Sequence, residues 1–187
     1  MFIATEETPN PSTLKFLPGL EVMPSGTAHF ADASTAGRSP LARRLFAIDG
    51  VKGVFLGADF VSVTSADGDW LELKPLVLGE IMEHFMAGLP VIEAVDETAD
   101  KAVENNSEDE EIVAQIKELL ETRVRPAVAR DGGDIVFQRY DSGVVYLHMQ
   151  GACSGCPSST ATLKYGIENL LRHYIPEVSE VRPVEAF

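Results

Sequence analysis
Gly151-Ala152-Cys153-Ser154-Gly155-Cys156-Pro157-Ser158-Ser159 holds both cysteines of the 187-residue chain. Two thiols three residues apart converge on one point. Before them, Val144 to Met149 alternates as a strand, with Val145, Leu147 and Met149 on one face and Val144, Tyr146 and His148 on the other. After them, Leu163, Ile167, Leu170, Leu171 and Tyr174 recur at helical spacing and the pattern stops at Pro176. Pro157 suits the first position of that helix, and Ser158 and Ser159 its first turn. The cysteines are therefore predicted where a strand hands over to a helix. A helix N-terminus carries partial positive charge, which favours thiolate over thiol. Gly151 and Gly155 are expected to let the backbone come close to whatever the thiols hold.

Working outward, Ile112, Ile116, Leu119, Leu120 and Val124 predict an opening helix, with a kink or break expected at Pro126. Asp131-Gly132-Gly133-Asp134 reads as a tight turn. Ile135 to Tyr140 is a strand that joins the next through Asp141-Ser142-Gly143, and Val178 to Val184 is the last, with Pro183 placing it at a sheet edge. The order helix, strand, strand, helix, strand gives a small α/β sandwich. It shows no parallel βαβ unit at this level of reading.

The N-terminal half has the same grain. Phe2 to Ala4 is a short apolar piece, Thr8 to Ser12 a turn-rich loop, and Thr13 to Leu17 and Thr27 to Phe30 are strands. Ser39-Pro40 is a capped helix start, with Leu41, Leu45 and Ile48 on one face. Val51 to Leu56 and Phe60 to Thr64 form a hairpin. A helix follows Pro75, with Leu78, Ile81, Met82 and Phe85 inward and Gly88 at its end. The fold class is α+β: two small α/β sandwich domains of mixed short strands with two helices each.

The chain is acidic, with net charge -14. Eight acids (Asp96, Glu97, Asp100, Glu104, Glu108, Asp109, Glu110 and Glu111) stand against Lys101 alone, so about half the net charge falls in one short segment. Polar and with little to bury, it reads as a flexible acidic linker. The expected organisation is an N-terminal domain over 1–93, a linker over 94–108 and a C-terminal domain over 109–187. The charge argues against nucleic acid, whose phosphates need Lys and Arg, and against anionic lipid. No apolar run approaches the roughly 20 residues that span a bilayer. The start, Met1 to Glu7, has neither a secretory signal nor an Arg-rich transit character.

A bare Cys-x-x-Cys serves redox proteins, zinc sites and iron–sulfur sites alike. Structural zinc wants four Cys or His ligands. His148 lies on one strand face and His173 at the far end of the helix, so neither suits. His29 and His84 are single histidines, better read as core or surface residues. A thiol–disulfide oxidoreductase fits the strand-to-helix placement, but no aromatic flanks the first cysteine. An iron–sulfur cluster favours soft thiolates and wants four. One chain offers two, and the count closes if two chains each give Cys153 and Cys156. No residues with catalytic spacing are found, so no enzyme is expected. Asp131 to Asp134 fit a turn better than a ligand set, since carboxylates are poor partners for a soft centre.

Arg125-Pro126, Asp131-Gly132-Gly133-Asp134 and Gly151 to Ser159 together resemble the C-terminal domain of NifU-type iron–sulfur proteins. Phe2-Ile3, Thr8-Pro9-Asn10-Pro11, Leu14-Lys15-Phe16, Ser39-Pro40-Leu41-Ala42 and Asp69-Trp70 resemble the N-terminal domain of the Nfu subgroup. The resemblance covers nearly the whole chain. It implies a carrier or scaffold that binds a labile [4Fe–4S] cluster, in some members [2Fe–2S], between two subunits. By matching positions, Cys153 and Cys156 are its ligands. The implied partners are a second copy in the loaded homodimer, apo iron–sulfur proteins as recipients, and the upstream cluster assembly machinery. Mitochondrial members of the family begin with a leader that is not seen here, so a cytoplasmic location is expected.

Overall fold
The computed structural model describes residues 1–93, 109–154 and 157–184, and of residues 157–159 only the helical backbone. The expected linker, 94–108, lies outside the described residues, as do Gly155 and Cys156.

The first unit is a five-stranded antiparallel sheet, made of β1 (Ala4–Glu7), β2 (Thr13–Leu17), β3 (Ala28–Phe30), β4 (Val51–Leu56) and β5 (Val61–Ser65), in the order β1-β2-β5-β4-β3. Two helices, α1 (Pro40–Phe46) and α2 (Leu73–Met86), cover one face. Alternation decides that face: Leu14 and Phe16, Val61 and Val63, and Val54 and Leu56 point to it and bury against Leu41, Leu45, Val77 and Ile81. The Ser39 hydroxyl accepts the Ala42 N–H at 3.0 Å, the cap read from the sequence. Two details differ from the sequence reading. The first strand lies at Ala4–Glu7 and not at Phe2 to Ala4, with Phe2 exposed. α2 begins at Leu73, two residues before Pro75, because proline is tolerated throughout a first helical turn.

The opposite face of this sheet is also buried, and the sequence gives it a single row. Cross-strand register lines up Glu6, Lys15, Ser62, Phe55 and His29 across β1, β2, β5, β4 and β3. Lys15, Ser62 and Phe55 are all out of solvent, although none belongs to the helical core.

The second unit begins with α3 (Glu110–Leu119), passes through a wider, π-helical turn at Leu120–Val124, and continues as α4 (Arg125–Arg130). The expected break at Pro126 takes this form. Proline has no N–H for the residue four back and its ring crowds that carbonyl, so the wider turn just before it absorbs the mismatch without ending the rod. Then come β6 (Gly133–Asp141), β7 (Val144–Gly151), α5 (Pro157–Tyr174) and β8 (Glu180–Val184), with sheet order β6-β7-β8. Gly133 and Asp134 already belong to β6, so the turn is shorter than the four residues expected. β6 carries a bulge between Phe137 and Arg139, and Pro183 lies in the edge strand β8.

β8 runs parallel to β7, so β7-α5-β8 is a parallel crossover. The sequence reading missed this unit because β8 is short and its pairing partner could not be assigned from pattern. Tyr174, placed on the buried face, is instead 47% exposed at the helix end, beside the Arg123 guanidinium. The second core gathers Ile116, Leu120, Ile135, Leu147, Ile167 and Leu171. Two units that each pack helices on short strands around a separate core bear out the α+β class.

The two units touch through the sheet row. His29 faces Phe55 and His148, each ring about 6.3 Å away. Burial, with the His148 ring adding to it, pushes the His29 pKa down to about 4 from 6.5. The folded form therefore favours neutral His29. The stability this brings is complete above pH 6.5 and is lost as pH falls towards 4. His29→Phe removes both the titration and the unpartnered Nδ1. The expected result is a chain whose urea midpoint at pH 5 exceeds that of the wild type, with a smaller gap or none at pH 7.5; equal gaps at both pH values would refute it.

Candidate functional site
The chemistry-bearing loop leaves β7 at Gly151 and enters α5 at Pro157, the handover predicted from sequence. Gly151 has φ +64, a conformation that L side chains rarely adopt. Hydrogen bonds pin the loop on both sides: the Ala152 N–H to the Gly132 carbonyl at 3.2 Å, the Ser154 N–H to the Gly151 carbonyl at 3.0 Å, and the Thr160 hydroxyl to the Cys153 carbonyl at 3.1 Å.

Cys153 is the one free thiol among the described residues, and it is only 6% exposed. Its side chain packs in the second core. Gly133 lies directly against it. A Cβ on Gly133 would come within 2.6 Å of the Cys153 Sγ and 2.7 Å of the Gln150 carbonyl. Among the described glycines, the tightest approach to the thiol thus comes from Gly133 and not from Gly151. A Cβ on Gly151 would instead meet the Gly132 carbonyl at 2.6 Å and the Phe55 ring at 3.0 Å. The sequence does not single out Gly133, because the antiparallel pairing Gly133↔Gly151 that brings it here is a tertiary fact.

The electrostatics also differ from expectation. Burial pushes the Cys153 thiol up to about 12, with Asp131 and Asp134 adding to the effect. The direction is opposite to the one a helix N-terminus alone would give. Asp134 is itself 3% exposed and fully satisfied. It accepts from Arg125 Nε at 2.8 Å and Nη2 at 2.7 Å, from the Ile135 N–H at 2.8 Å, and from the Thr27 hydroxyl at 2.7 Å. This accounts for Arg125 and Asp134 as a structural pair. The reading of Asp131 to Asp134 as framework suits that geometry. Beside Cys153 a mostly apolar cleft of about 600 Å³ opens between α4 and α5, with Pro9 of the first unit on its margin.

The histidines take no part in a cluster of donors. His148 Nδ1 lies 3.1 Å from the Val184 carbonyl, and His173 stands edge-on to Tyr174. His84 is buried in the first unit against Phe85. No group of three or more His, Cys, Asp or Glu that could hold a metal occurs among the described residues. No helix among them is long and apolar enough to cross a membrane.

The fold and the loop define a two-domain protein with a cysteine pair at a strand-to-helix turn. The family model described as "Scaffold protein Nfu/NifU N terminal" matches residues 3–88, and that described as "NifU-like domain" matches residues 116–182. The chain is 53% identical over 186 residues to a Drosophila erecta protein named "NFU1 iron-sulfur cluster scaffold homolog, mitochondrial", with 98% of this chain and 65% of that protein covered. It is 50% identical over the same length to the Homo sapiens protein of that name, covering 72% of it. A solved NifU-like protein from Saccharomyces cerevisiae aligns over 51% of this chain and 87% of its own, with TM-score 0.46 and 25% identity. The chain belongs to the Nfu-type, NifU-like scaffold family. It spans about two thirds of the length of the Drosophila relatives it matches. The cytoplasmic location expected from the N-terminus does not stand, because these relatives are named as mitochondrial.

The buried thiol yields a direct test. At pH 8, Cys153 in the folded chain is expected to alkylate about a thousandfold more slowly than in the urea-unfolded chain, following the rise from 9.0 to about 12. Peptide mapping by mass spectrometry reads the two rates; comparable values would contradict the buried placement. Gly133→Ala is expected to destabilise the fold by about 1–3 kcal/mol through overpacking against the thiol.

Proposed function
We propose that this chain is a scaffold and carrier for a labile iron–sulfur cluster, held by Cys153 and Cys156 and passed on to apo-proteins. The single observation that carries this is the sulfur inventory of the site. The chain has two cysteines, both in the loop between β7 and α5. A cluster needs about four thiolates, and soft sulfur donors suit it where carboxylates do not. Two copies related by a two-fold axis, each giving Cys153 and Cys156, supply that number.

Membership of a family whose relatives are named cluster scaffolds supports the reading. The cluster is cargo here, so a loop at the end of a sheet suits it better than a closed cage. A [4Fe–4S] form is favoured, with [2Fe–2S] as the smaller possibility. Recipients are apo iron–sulfur proteins, and the donor is an upstream assembly system. The names of the relatives support a mitochondrial setting. The domain limits we assign are 1–93 and 109–187, joined by 94–108, and the family matches fall inside both domains. The chain's role is binding and delivery, not catalysis.

One observation favours a second reading. The parallel crossover β7-α5-β8, with a Cys-x-x-Cys at its turn, is how a thiol–disulfide oxidoreductase holds its pair. Against it stands the Cys153 thiol, buried and pushed to about 12, when an attacking thiol needs a pKa near ambient pH.

Anaerobic reconstitution with iron and sulfide, followed by native mass analysis, separates the readings. The wild type is expected to take up iron and sulfide as a two-chain species. Cys153→Ala and Cys156→Ala should each abolish stable loading, since each leaves a pair of chains with half its thiolates. A monomer carrying a complete cluster, or a Cys→Ala variant that still loads stoichiometrically, would overturn the proposal.

A further inference from the structure
The Cys153 thiol is packed inward, whereas a cluster shared by two copies needs it at a surface. The contact between the two units lies directly beside this loop. The outer row of the first sheet presses on the glycine turn and on the strand end that brackets the cysteine loop. The Lys15 ammonium donates to the Arg130 carbonyl at 3.1 Å, at the C-terminal end of α4. The Ser62 hydroxyl donates to the Gly132 carbonyl at 2.8 Å. Phe55 lies under Gly151, and Thr27 donates to Asp134 at 2.7 Å.

The loop between β1 and β2 reaches the cysteine segment itself. Asn10, only 5% exposed, donates from Nδ2 to the Ser154 carbonyl at 3.2 Å, and Pro9 borders the cleft beside Cys153. The loop is stiffened for this. The Thr8 Oγ1 lies 2.8 Å from both the Asn10 and the Thr13 carbonyl, which share its single proton, and Asn10 Oδ1 accepts the Ser12 N–H at 3.1 Å. Glycine makes the close docking feasible: a Cβ on Gly132 would stand 2.7 Å from the Ser62 Oγ and 3.2 Å from Thr8. Gly132, at φ +79, and Gly151 thus serve the contact between units as well as their own turns.

We propose that the N-terminal domain is an intramolecular latch on the cysteine loop: the Lys15–Ser62–Phe55 row and the Asn10 loop hold Cys153 inward in a closed form that cannot share a cluster with a second copy, and loading requires the latch to open. This rests on the scaffold reading only for its last step. Closure itself is a property of the apo chain.

Two substitutions open the latch without touching the first core, because both side chains point away from the helices. Ser62→Tyr places a ring where the Gly132 backbone now stands, and Lys15→Glu sets a carboxylate against the Arg130 carbonyl and beside Glu6. Circular dichroism and thermal melts of the full chain confirm that each variant keeps its fold. Small-angle scattering of the apo chain should then show an increased radius of gyration for both. Iodoacetamide labelling of Cys153, mapped by mass spectrometry, should quicken about tenfold or more. An expanded variant with an unchanged Cys153 rate would overturn the latch, since the second unit would then be burying the thiol by itself. Two variants that stay as compact as the wild type would also overturn it, because the row would not be what holds the units together. Loading with iron and sulfide should be several-fold faster in both variants. If the wild type and the variants take up no cluster at all, the scaffold reading fails while the labelling result still decides the latch.

Discussion
Backbone approach without side chains is the constraint on which the rest of this structure depends. Gly132, Gly133 and Gly151 sit at one junction, and each would drive a Cβ to within 2.7 Å of a neighbouring atom. Gly133 makes room for a sulfur, Gly132 for a hydroxyl of the other unit, and Gly151 for a carbonyl and, slightly farther off, an aromatic ring. Only glycine accommodates three such approaches at once, two of them at positive φ. The cost is chain entropy, and the return is a loop fixed from one side by the Ala152 N–H on the Gly132 carbonyl and from the other by the Thr160 hydroxyl on the Cys153 carbonyl.

A second node stiffens that junction. Asp134 is buried at the start of β6, and its two oxygens meet an arginine fork from α4, its neighbour's N–H and a threonine from the first unit. A carboxylate so far from water persists only when its lone pairs are met, and here they are. Arg125 also pairs with Glu121 one turn back, within the wider helical turn that precedes Pro126. Helix, sheet and opposite unit are thereby tied to one carboxylate. The acidity this brings near Cys153 is a side effect of building the frame so close to the thiol.

Much of this was legible in the sequence, and the misses have physical causes. Thr13–Leu17, the Ser39 cap and the strand face of Val145, Leu147 and Met149 follow from alternation and capping, which are local. The cysteine loop was legible because a strand pattern, two cysteines and a proline at a helix start are contiguous. The burial of Lys15 was not, since a lysine in a strand ordinarily faces water and only a second unit covers this one. The direction of the thiol's shift was misjudged for the same reason. Helix ends are visible in sequence, whereas desolvation depends on what packs above. The parallel β7-α5-β8 crossover escaped because pairing partners are chosen by tertiary structure, not by the strand's own residues.

The edges of the second sheet have a further implication. β8 carries Pro183, which offers no amide hydrogen to a neighbour, and β6 is bent by its bulge near Phe137. Neither margin invites a foreign strand to extend the sheet. Along this sheet, two copies of the chain are therefore poorly placed to join by pairing strands. Continuous strand addition would fuse them like the layers of a fibre, and these two blunted borders discourage it.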